Sequence, residues 1–143
     1  MTTQRFAEGK NYEIDVTGAL AICRVWSRPD LDSTEGARLA AEKIGLFQRL
    51  AASSVQGMLL DLSRAPPVTG AKTQESLGAM LKAWHDAAKY VAVVAASHSM
   101  QQLQLRRIVT TFAPSYGKLF DVARQAEQWL AEKRPQPAAP SSK

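Results

Sequence analysis

With 143 residues, 45% of them hydrophobic and 22% charged, the chain has the size and composition of one packed globular domain and not of a disordered or fibrous protein. Its formal charge of +5 is uneven: Met1–Leu81 balances nine basic against nine acidic residues, and from Lys82 onward nine basic residues face four acidic ones. The basic residues are scattered, without interleaved aromatics or a nucleic-acid motif, so a solvated basic face is expected and nucleic acid is not an expected partner.

The amino end, Met1-Thr2-Thr3-Gln4-Arg5, has no apolar block of a signal peptide, and residues 1–10 are read as an extension ahead of the domain. The longest strongly apolar run, Val91–Ala96, falls far short of the ~20 residues that span a bilayer, so no transmembrane segment is expected. The single cysteine, Cys23, lies in an apolar segment, which fits a buried thiol in a reducing cytoplasm.

Tyr12-Glu13-Ile14-Asp15-Val16 alternates apolar with acidic at period two, and Thr17-Gly18 turns the chain into Ala19–Trp26, predicting a hairpin. Ser27-Arg28-Pro29-Asp30 ends the second strand, and Asp32 with Glu35 resembles a capping box opening a helix. Ala37, Ala40, Ala41, Ile44, Phe47 and Ala51 recur on that helix as the expected core stripe. After Gly57 the run Met58-Leu59-Leu60-Asp61-Leu62-Ser63 reads as a buried strand, followed by the breaker cluster Ala65-Pro66-Pro67-Val68-Thr69-Gly70 and a helix with its apolar face at Leu77, Met80, Leu81, Trp84 and Ala88. In open α/β sheets such a strand-loop-helix junction is where ligands and partners are received.

Tyr90–Ala96 is apolar on both alternate sets and β-branched, the pattern of a central parallel strand covered on both faces. Ser97-His98-Ser99 supplies a loop and cap, and Leu105, Ile108, Val109 and Phe112 make the next helical stripe, ended by Pro114 and Tyr116-Gly117. A short strand, Lys118–Val122, leads into a last helix anchored by Ala126, Trp129 and Leu130, and Pro135–Lys143 reads as a disordered Pro/Ala/Ser tail. The expected fold is α/β, in the order β-β-α-β-α-β-α-β-α, with a mixed, mostly parallel sheet and covering helices.

This order, with Met58–Ser63 before the central loop, resembles the STAS domain family, whose members include bacterial anti-sigma-factor antagonists, and more closely its SpoIIAA-like (STAS/SEC14-type) group. The ending Lys118-Leu119-Phe120-Asp121-Val122-Ala123-Arg124-Gln125-Ala126-Glu127-Gln128-Trp129-Leu130 is similar to that group's final strand and Trp-Leu helix, and the resemblance covers about Asn11–Glu132. It implies a STAS-like domain over residues 11–134. It also implies a non-catalytic bacterial signalling module that docks a regulatory partner, a regulator or kinase-like protein, through the loop and helix after the third strand. A homodimer is a further expected state. The residues assigned to that surface are Asp61, Ser63, Pro66, Pro67, Thr69, Gly70, Thr73, Ser97 and His98.

In the family's phosphoregulated members the loop reads Asp-Ser-Ser-Gly, and a partner kinase phosphorylates the serine. Counted without gaps from Asp61, that quartet falls on Thr69, Gly70, Ala71 and Lys72, which puts alanine at the acceptor position. Thr69 and Thr73 are the nearby candidate phosphoacceptors, where a phosphate would meet a helix N-terminus; capping of that helix is the preferred role. The alternative function is a SEC14-like binder of a small apolar ligand or lipid, which calls for an enclosed apolar cavity of ~300 Å³ or more.

Other chemistry finds little support. His85 and His98 have no partners at metal-ligand spacing, so neither a metal nor a cofactor is expected. Ser97 and His98 are adjacent, a poor arrangement for a nucleophile and its base, and no Gly-x-Ser-x-Gly elbow is present. Gly70 to Lys72-Thr73 lacks the spacing of a phosphate loop, and no enzymatic activity is expected. Asp61, the lone acid in a buried strand, must be hydrogen-bonded, with the following loop as the expected donor. Trp84 and Trp129 are expected in the core and Trp26 at the surface.

Overall fold

Gly18, at φ 60°, closes the tight turn that the Thr17-Gly18 pair predicts, and the chain on either side of it zips into an antiparallel hairpin, Tyr12 opposite Val25 and Thr17 opposite Leu20. The computed structural model describes residues 2–65, 71–96 and 99–133, with the side chains of all of these except Lys72 and Thr73. In chain order the elements are β1 (Thr3–Gly9), β2 (Tyr12–Thr17), β3 (Leu20–Trp26), α1 (Ser33–Ala51), β4 (Gly57–Arg64), α2 (Ala71–Asp86), β5 (Tyr90–Val94), α3 (Met100–Phe112), β6 (Gly117–Phe120) and α4 (Ala123–Lys133). The protein is thus an α/β fold with a six-stranded mixed sheet and four helices.

The strands lie in the sheet in their chain order, β1 to β6; β1, β2 and β3 pair antiparallel, and β3 through β6 pair parallel. One element differs from the sequence reading: residues 3–9, assigned to an extension, form an edge strand on β2, so the order opens with three strands before the first helix. Its polar composition hid it. Five of its seven residues are Thr, Gln, Arg, Glu and Gly, and only Phe6 and Ala7 pack against the core.

Alternation along the strands sends Tyr12, Ile14, Ala21, Cys23, Met58, Leu60, Val91 and Val93 into one core, where they meet α1, α2 and α3. The other set, Leu59, Ala92 and Val94 with Leu20, Ile22 and Phe120, meets α4 through Ala126 and Leu130. β4 and β5 therefore bury both faces, which is why both read as nearly continuous apolar runs. Trp84 is fully buried and donates its indole N–H to the Phe47 carbonyl at 3.0 Å, locking α2 to α1. A Cβ at Gly78 would come within 2.5 Å of the Phe112 ring, so α3 approaches α2 closely only because that position is glycine.

Asp32 caps α1 as expected, accepting from the Glu35 amide at 2.8 Å, while the Glu35 carboxylate turns to Arg38 and Lys10. The helix is rotated from the expected stripe. Leu39, Phe47, Leu50 and Ala51 are buried, whereas Ala37 and Ala41 are exposed. Lys43 completes the inner face with its stem: its ammonium lies 5.5 Å from the Tyr12 ring centroid and donates to Asn11 Oδ1 at 3.2 Å, and burial lowers its pKa. Alanines say little about which way a helix faces, and a lysine with a buried stem is counted as polar.

Candidate functional site

Among the described residues, the second face of the sheet is left uncovered beyond α4, over β1, β2 and the carboxyl ends of β3 and β4. The register sets Arg5 opposite Asp15, Glu13 opposite Arg24 and Arg24 beside Asp61, so alternation lines up a charged row across four strands. Arg5 Nε reaches Asp15 Oδ1 at 2.6 Å, and Arg24 lies 3.2 Å from Glu13 Oε2 and 3.5 Å from Asp15 Oδ2. Arg5 and Arg24 are about half exposed, so each pair by itself contributes little, and the shared carboxylates Glu13 and Asp15 link the two arginines into one network.

The row ends at the carboxyl end of β4. There a register shift between Arg24 and Trp26 brings Trp26 opposite Arg64, and the Ser27 amide donates to the Arg64 carbonyl at 3.0 Å. A surface hollow of about 380 Å³ opens at this point, lined by Glu13, Arg24, Val25, Trp26, Asp61, Ser63 and Arg64. Asp61 Oδ1 accepts from the Ser63 amide at 3.0 Å and from Ser63 Oγ at 2.6 Å. The carboxylate thus ties the strand end to itself, in the local turn that Asp forms with the residue two positions on. Its donor is Ser63, still within β4. Arg64 is exposed and, among the described residues, pairs with no carboxylate.

Of the residues assigned from sequence, Asp61 and Ser63 come together here. Pro66, Pro67, Thr69, Gly70, Ser97 and His98 lie outside the described residues, as does the tail from 134 to 143; Thr73 lies in the first turn of α2, its side chain undescribed. Ser99 caps α3, accepting from the Gln102 amide at 3.0 Å and donating to the Ala96 carbonyl at 2.7 Å, which occupies its hydroxyl. His85, on the last turn of α2, sets its ring edge-on to Tyr116 at 5.2 Å between centroids. Among the described residues no three His, Cys, Asp or Glu side chains gather as a metal site.

Sequence reading missed Glu13, Arg24 and Arg64. The alternation in β2 and β3 marks Glu13 and Arg24 as facing one way, but their union with Asp61 requires the parallel pairing of β3 with β4. Cys23, the neighbour of Arg24, faces the helix-covered core, where burial pushes its thiol up to about 12 and leaves it un-ionised at neutral pH. Among the described residues no helix is long and apolar enough to cross a membrane. No protein-family model matches the chain, and no curated protein sequence matches it.

Proposed function

We propose that the protein is a STAS-like, SpoIIAA-like interaction module that docks a regulatory protein partner at the carboxyl end of β4 and performs no chemistry of its own. One observation carries this reading: among the described residues the sheet's uncovered face ends there in a polar, open hollow that sets the aromatic Trp26 beside Arg64, which pairs with no described carboxylate. An aromatic and an arginine at the rim of a rigid strand end are the side chains that anchor protein contacts. The apolar-ligand alternative is less well supported, because this hollow is open and carries four charged residues, Glu13, Arg24, Asp61 and Arg64.

The test uses the full chain. A partner co-purified from the source cells and identified by mass spectrometry is titrated calorimetrically against wild type, Trp26→Ala and Arg64→Glu, with circular dichroism to verify the fold. Each substitution is expected to weaken the complex at least about tenfold. Unchanged affinity in both variants, and in a Thr69→Glu/Thr73→Glu variant, would remove the β4 end from the interface.

A further inference from the structure

The sheet has two edges, and they are finished differently. On β1 the pairing slips between Arg5 and Ala7, a bulge that bends the edge away, and Arg5 is engaged with Glu8, Glu13 and Asp15. β6 carries no bulge in its pairing with β5. The Val91 amide donates to the Tyr116 carbonyl and the Ala95 amide to the Phe120 carbonyl, so residues 116, 118 and 120 point their backbone groups inward. The N–H and C=O of Leu119 are left facing outward, along with the carbonyl of Gly117.

Beside that edge runs a groove of about 310 Å³ lined by Arg106, Val109, Thr110, Gly117, Lys118 and Leu119. No acidic residue lines it. Arg106 stands on α3, while Lys118 shares a sheet face with Phe120 and holds its ammonium 5.5 Å from that ring, so cations flank the open edge on both sides. Neither forms an ion pair among the described residues, whereas Arg5, Arg24, Arg28 and Arg38 all do. The three large hydrophobic side chains exposed among the described residues, Met100 at 70%, Leu103 at 64% and Val122 at 45%, all belong to the same end of the sheet. Met100 and Leu103 open α3 just after β5, Val122 follows β6, and Leu103 stands one turn before Arg106 on α3.

We propose that the β6 edge and the α3 groove form a second docking site, separate from the β4 surface, that receives an extended acidic protein segment as a seventh strand. Outward backbone groups of Leu119 supply the pairing, Arg106 and Lys118 select negative side chains, and Leu103 offers an apolar anchor at the upper end. A second copy of the chain is disfavoured as the occupant, since β6 against β6 would bring the cations of two copies together.

The test is selection of a phage-displayed random decapeptide library on the immobilised full-length protein, followed by anisotropy titration of the enriched peptides. Enrichment of Asp- and Glu-rich sequences with β-branched residues is expected, with binding weakened at least about tenfold by Arg106→Glu/Lys118→Glu and by N-methylation of alternate peptide amides. The Leu119 amide should be among the largest shifts in a ¹⁵N correlation spectrum, which also verifies that the variant is folded. Trp26→Ala, which tests the β4 surface, should leave peptide affinity unchanged, so the two sites fail or stand independently. The proposal is overturned by any of four results: no enrichment, enrichment without acidic bias, tighter binding of single-stranded DNA that displaces the peptide, or dimerisation through β6 in sedimentation.

Discussion

Leu130 is 1% exposed and, with Ala126, forms the contact by which α4 covers Leu59, Ala92 and Val94. Replacing it with alanine removes the three carbons beyond Cβ from the larger of the two fully buried side chains of α4, and the surrounding β-sheet is too rigid to collapse fully into the space. The expected loss is ~3 kcal/mol, within the range for buried leucine truncations. With a urea m-value of ~2 kcal/mol/M, the unfolding midpoint should fall by ~1.5 M at unchanged slope. Gly57 lies directly beneath: a Cβ there would sit 3.4 Å from Leu130 Cδ2 and 3.6 Å from the Tyr90 carbonyl, both ordinary contacts. Gly57→Ala alone should therefore be neutral or stabilising by ~0.5 kcal/mol, by restricting the unfolded chain. In the Leu130→Ala background the added methyl enters the vacated space, and the recovery should rise to ~1 kcal/mol, a measurable coupling between the two sites. Urea titrations of the four proteins by tryptophan fluorescence complete the cycle. A loss under ~1 kcal/mol for Leu130→Ala, or strict additivity of the pair, would mean that α4 does not seal this face.

Ala88 holds φ 58° at the end of α2, where the Lys89 amide donates to the Trp84 carbonyl and the Ala88 amide to the His85 carbonyl, both at 3.0 Å. This is the left-handed cap usually given to glycine, so Ala88→Gly should stabilise by ~0.5–1 kcal/mol and raise Tm by ~2–4 °C; a lowered Tm would refute the geometry. Burial raises the Cys23 thiol from an ordinary value of 9.0 to about 12, so the folded protein keeps a proton that the unfolded chain releases. The stability this lends is intact below about pH 9 and is lost as pH climbs toward 12, and Cys23→Ala should flatten that alkaline decline. In the wild type, Ellman's reagent should label Cys23 only on unfolding, and rapid labelling at neutral pH would contradict its burial.

Local chemistry settles much of this molecule. The Thr17-Gly18 turn, the Asp32 cap, the Ser99 cap and the doubly apolar runs of β4 and β5 are written in short stretches, because turns, caps and two-sided burial each depend on a few adjacent residues. Those same signals support the α/β order and mark the β4 end as a place to look for function. β1 escaped notice because an edge strand with one half-exposed face needs little hydrophobicity, and its evidence lies in pairing with β2. The facing of α1 was also beyond local pattern: whether an alanine or a lysine stem lies inward depends on what the sheet presents to it. Most of all, the charged row from Arg5 to Asp61 joins residues up to 56 positions apart, and only the strand order and register bring them side by side. The same holds for the β6 edge. No residue in Gly117–Phe120 announces that it is an edge strand among the described residues, because being at an edge is a property of the whole sheet and not of the strand.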